Sequence, residues 1–86
     1  MPVISSFYGI DIKLYYRDHF PPHFHAHYGE FSVEISILDL SVLAGGLPRQ
    51  AMALVIKWAR LHQFELRLQW ERAQNGEIPN KIEPLT

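Results

Sequence analysis

The run Asp18-His19-Phe20-Pro21-Pro22-His23-Phe24-His25-Ala26-His27-Tyr28-Gly29 holds four of the chain's five histidines, so its chemistry is concentrated here. Two prolines in a row remove two backbone donors and push the residue before each of them to extended conformation, which argues against a helix. His23 to Tyr28 then reads as a strand that begins after Pro22. His23, His25 and His27 point one way along it, and Phe24, Ala26 and Tyr28 the other. The following run also alternates: Phe31, Val33, Ile35 and Ile37 are apolar, while Ser32, Glu34 and Ser36 are polar. A hairpin turning at Tyr28-Gly29 sets His27 opposite Glu30, Ala26 opposite Phe31, His25 opposite Ser32, Phe24 opposite Val33 and His23 opposite Glu34. Apolar meets apolar and polar meets polar throughout, and a slip of one residue would spoil the match.

The expected hairpin has one oily face and one polar face, the latter bearing His23, His25, His27, Ser32, Glu34 and Ser36. Alternate strand residues lie roughly 6.5 Å apart, which separates His23 from His27 by roughly 13 Å. A metal–nitrogen bond is about 2 Å, so one ion takes His25 with one neighbour and not all three histidines. The best metal constellation is His23, His25 and Glu34, with His19 or Asp18 from the preceding loop as an addition. Two histidines and a carboxylate with open positions suit zinc or iron(II). Two other readings stay open. Asp18, His19, His23, His25, His27 and Tyr15, with Trp70 from the helical segment, would make a partner or ligand surface; or the face is simply solvated. The pattern requires no cofactor, and zinc or iron(II) is what it would take. No catalytic residue is assigned, and the balance leans away from an enzyme. There is no Ser/His/Asp arrangement, and Gly45-Gly46 reads better as a turn than as a phosphate loop.

At 86 residues the chain is expected to be a single domain, residues 1–86, with one modest core. The absence of cysteine excludes disulfides, thiol catalysis and cysteine-bound zinc. A formal net charge of −1, with the basic residues scattered, argues against nucleic-acid binding by the isolated chain. No run approaches a membrane span, and Met1-Pro2-Val3 does not open a leader peptide. A cytoplasmic protein is the simplest reading.

Outward from the histidine run, Ile10 to Tyr16 alternates cleanly and is expected as a strand with one buried face. Val3 to Tyr8 is short, mixed and extended, and Gly9 interrupts it. The strands are expected at about 10–16, 23–28 and 30–37, with 42–44 as a candidate fourth. A helical segment spans about 48–75, with Pro48 suited to its first turn. Ala51, Leu54, Val55, Trp58 and Leu61 form one stripe at helical spacing. Past His62-Gln63 the phase shifts. Either the helix breaks there, or one long helix turns its second half toward another partner, such as a second copy of the chain. The break is the reading favoured here. Trp58 and Trp70 read as core or interface residues and His62 as a capping or core histidine. Asn75-Gly76 ends the helix, and 76–86 is an extended tail that Ile82 and Leu85 dock on the body. The fold class that follows is α+β: a small antiparallel sheet of three to four strands, with one or two C-terminal helices packed on one face and the histidine-bearing face open.

Taken together, several segments resemble the bacterial domain-of-unknown-function 4160 family. They are Met1-Pro2-Val3-Ile4-Ser5, Gly9-Ile10, the Asp18 to Ala26 run with Tyr28-Gly29, Gly46-Leu47-Pro48, Trp58, His62, Glu65-Leu66, Trp70 and Ile82-Glu83-Pro84-Leu85. The resemblance implies no reaction. It implies a two-gene module, of toxin–antitoxin character, in which a small protein encoded nearby is the partner. On that view the chain is an interaction module, through its polar sheet face or its second helical half. The alternative is a metal-binding protein or metal-dependent enzyme built on the histidine strand.

Overall fold

The computed structural model describes residues 2–86. Five strands and two helices follow one another: β1 Val3–Phe7, β2 Ile10–Lys13, β3 His23–Tyr28, β4 Phe31–Ser36, β5 Val42–Gly46, α1 Arg49–Leu61 and α2 Gln63–Gln74. The strands form one antiparallel sheet in the order β1-β2-β3-β4-β5. The class is α+β, but the sheet has five strands where three to four were expected.

The additional strand is β1. Its Ser5-Ser6 pair breaks the apolar alternation, and only its pairing with β2 makes it a strand. The link is Tyr8-Gly9, both at positive φ (50° and 79°), the backbone that a two-residue hairpin of matching twist requires. The strand expected at 10–16 ends at Lys13. Leu14 remains buried, and its N–H donates to the Pro2 carbonyl at 3.3 Å.

The central hairpin corrects the expected register. His23 pairs with Ser36, Phe24 with Ile35, His25 with Glu34, Ala26 with Val33, His27 with Ser32 and Tyr28 with Phe31. The displacement from the expected pairing is two residues. A shift of two keeps every side chain on its own face, so hydrophobic pattern cannot distinguish the two registers. Turn chemistry decides between them. Gly29, at φ 58°, takes the first central position and Glu30 the second, in place of Tyr28-Gly29.

On the oily face Ile4, Ile10, Ile12, Phe24, Ala26, Val33 and Ile35 are buried. Trp58 of α1 packs on them, its ring centroid 5.5 Å from that of Phe7 and 5.9 Å from that of Phe24. The helical segment divides at His62, whose φ of −123° leaves the helical range. The His62 N–H still reaches the carbonyls of Trp58 and Ala59, and its Nδ1 lies 2.6 Å from Glu65 Oε1. In α2, Leu66, Gln69, Trp70 and Ala73 are the buried positions.

The tail runs back along β1. The Ile82 N–H donates to the Ile4 carbonyl at 2.7 Å, and the Trp58 indole N–H to the Glu83 carbonyl at 2.8 Å. The Asn80 N–H reaches Gln69 Oε1 at 2.7 Å.

Candidate functional site

The histidine cluster is assembled from β3 and from the loop that enters it. That loop is held by the far end of α2. The Arg17 N–H donates to the Ala73 carbonyl at 3.2 Å, and the Gln74 side-chain amide to the Asp18 carbonyl at 2.9 Å. Phe20-Pro21 is a cis peptide. The Ile37 N–H closes on the Pro22 carbonyl at 2.9 Å, fixing the start of β3 against the end of β4. Asp18 is thereby delivered to the face that carries His23 and His25.

His23 is the centre of the cluster and is fully buried (0% exposed). The rings of His19 and His25 each lie 5.0 Å from its ring, and the Trp70 indole 5.3 Å away. The expectation of an open, histidine-bearing face therefore fails at this residue. His23 and Trp70, the latter 3% exposed, are inner walls and not accessible surface. The cause is α2, which brings Trp70 over the entry of β3.

The polar contacts converge. His23 Nδ1 lies 2.7 Å from the Pro21 carbonyl oxygen. A carbonyl can only accept, so Nδ1 carries a proton. His25 Nε2 donates to Asp18 Oδ2 at 3.0 Å. Asp18 Oδ1 accepts from the His19 N–H at 2.8 Å and lies 3.0 Å from His19 Nδ1. His23 Nε2 also lies 3.0 Å from Asp18 Oδ2, and 3.6 Å from Glu34 Oε1. It is nonetheless a buried nitrogen without a properly directed hydrogen bond.

Asp18 responds to these neighbours. Burial pushes its carboxyl up, but the hydrogen bond from His25, the His19 N–H and the positive charge that His23 and His25 carry when protonated outweigh it. The carboxyl is held below the ordinary aspartate range.

Two donor sets result, Asp18-His23-His25 and His19-His23-Glu34, with ligand atoms within 4.8 Å of one another in each. His23 belongs to both and has one free nitrogen, so the two sets can hold one ion between them and not two. Of the expected metal residues, His23, His25, Glu34 and His19 are all brought together. Asp18, expected only as an addition, is the closest carboxylate of all. The signal for it was its place just before the Pro-Pro turn, which can fold a side chain back onto the strand.

The remaining surface residues are divided. Tyr15 sets its ring edge-on to His25, with centroids 4.3 Å apart. His27 lies further along β3, between Asp11 and Ser32 in the sheet, and enters neither donor set. Its Nε2 is buried without a partner. Burial lowers its proton affinity, with the charges of Lys13 and His25 adding and Asp11 opposing. His27 therefore holds a proton less readily than a free imidazole does.

Fold and cluster together define a small α+β protein with a five-strand meander, two backing helices and a histidine–carboxylate centre at one end of the sheet. The model of the family described as "Domain of unknown function (DUF4160)" matches residues 9–71, and the chain belongs to that family. No curated protein and no solved structure matches the chain. Among the described residues, no helix is long and apolar enough to cross a membrane.

Proposed function

We propose that this protein binds one divalent transition-metal ion through Asp18, His23 and His25, with Glu34 and His19 at hand to complete the donor set. The observation that supports this reading is His23 Nε2, buried without a hydrogen-bond partner although the Asp18 carboxylate lies 3.0 Å away. A lone pair 3.0 Å from an anionic oxygen is repulsive unless a cation stands between them. Donors on a tetrahedral ion with bonds of about 2.0–2.1 Å sit about 3.4 Å apart. The spacings of 3.0, 3.0 and 3.6 Å around His23 Nε2 and Asp18 Oδ2 are close to that.

The surrounding bonds suit a ligand. A metal-bound imidazole characteristically gives its other N–H to a carbonyl or carboxylate, as His23 does to Pro21. Two imidazoles and a carboxylate select zinc or iron(II) over magnesium or calcium. An ion bound here would polarise a bound water, and Glu34, if it does not ligate the ion, is the carboxylate that would take its proton.

Elemental mass spectrometry of untagged protein, purified without chelator, tests the reading. The expected result is one equivalent of zinc or iron per chain, lost in His25→Ala and in Asp18→Asn. Metal-free protein that also fails to bind added zinc or iron(II) by calorimetry would sink the proposal.

A further inference from the structure

The sheet-facing side of α1 is packed, and Met52 and Ile56 at its margin also lean on the core, while the side beyond them faces solvent. Met52 and Ile56 are half-buried and Ala53, Lys57, Arg60 and Leu61 are exposed. These six line a shallow furrow of about 640 Å³ along the helix. Its apolar floor recurs at 52 and 56 and ends on Leu61, which is 66% exposed, and Phe64 at the start of α2 is 72% exposed. Large apolar side chains presented at helical spacing mark a docking surface rather than scattered exposure.

Charge identifies the occupant. The chain as a whole is slightly acidic, yet α1 has Arg49, Lys57 and Arg60 and no acidic residue. Among the described residues Arg72 is the only lysine or arginine within 4.0 Å of a carboxylate. Lys57 and Arg60 therefore rim the furrow with unneutralised positive charge. A second copy docked face to face would set these cations against themselves, which costs free energy where an acidic partner gains it. A furrow lying along a helix, with apolar positions one turn apart, matches an amphipathic helix better than an extended strand.

We propose that the outer face of α1, from Met52 to Leu61 with Lys57 and Arg60 at its rim, docks an acidic amphipathic helix of another protein. The inference is independent of the metal centre, which none of these residues touches.

Two synthetic helical peptides test it on the full chain. One has leucines at i, i+3, i+4 and i+7 flanked by glutamates; the other replaces every glutamate with lysine. The acidic peptide is expected to bind and to move the backbone NMR signals of Met52, Ile56, Lys57, Arg60 and Leu61. The double variant K57E/R60E should weaken binding by about ten-fold or more, and added salt should weaken it as well. Both substituted positions are exposed, so the fold is retained; Leu61→Asp, also exposed, should abolish binding. Equal binding of the two peptides, signal changes elsewhere, or no binding at millimolar peptide would each overturn the proposal. So would self-association in ultracentrifugation that Leu61→Asp relieves, or binding to anionic phospholipid vesicles without binding to the acidic peptide.

Discussion

His23 gives its Nδ1 proton to the Pro21 carbonyl across 2.7 Å, and this bond between two residues of one turn fixes what the other ring nitrogen presents to Asp18. The proline run thus does more than start a strand. It selects the tautomer of the most buried histidine in the chain.

His23 and His25 should part company in stability. His23 is fully enclosed beneath Trp70, so His23→Ala opens a cavity and should cost about 2–4 kcal/mol. His25 is only partly covered and loses one hydrogen bond to Asp18, so His25→Ala should cost about 1 kcal/mol or less in metal-free protein. Urea denaturation of both variants in chelator measures the difference. His25→Ala is for this reason the cleaner variant for metal binding.

Trp58 ties three layers together: the sheet, α1 and the tail. Trp58→Phe retains ring packing against Phe7 and Phe24 but loses the indole bond to Glu83. The expected cost is about 1–2 kcal/mol, against about 3–5 for Trp58→Ala. Limited proteolysis should show the tail beyond Gly76 cleaved faster in the phenylalanine variant, while the sheet stays protected.

His27 makes the fold sensitive to acid. Its proton affinity is lowered by burial first and by Lys13 and His25 next, so the unfolded chain binds a proton there more readily than the folded one. Its contribution is present above the unfolded histidine value, near pH 6.5, and is lost as pH falls from there toward the lower folded value. His27→Gln should flatten this part of the stability–pH curve, measured by thermal melts between pH 7 and pH 5. An unchanged slope would assign the acid sensitivity to other groups.

The faces of the sheet were legible because alternation is a local signal: Phe24, Ala26, Val33 and Ile35 declare themselves in any register. Register was not, because a two-residue shift is silent in that pattern and only the Gly29-Glu30 turn resolves it. β1 was missed because Ser5 and Ser6 interrupt its alternation; Tyr8-Gly9 was its one available sign. The phase shift past His62 appears as the junction of α1 and α2. The cluster of His19, His23, His25 and Glu34 could be proposed from spacing. The burial of His23 could not, since it depends on Trp70, which is 47 positions later in the chain. Asp18 was underweighted for the same reason, because its placement rests on bonds to Ala73 and Gln74.

Those last bonds couple events that the sequence keeps far apart. Asp18 and Gln74 are 56 residues apart, yet the amide of one side chain holds the backbone of the other residue. The last turn of α2 thus serves as a buttress for the carboxylate. Anything that tightens Asp18 must also quiet the fraying of that helix end, and a protein bound near Gln74 would be felt at Asp18. Hydrogen exchange at the end of α2 should therefore report on the loop that carries Asp18.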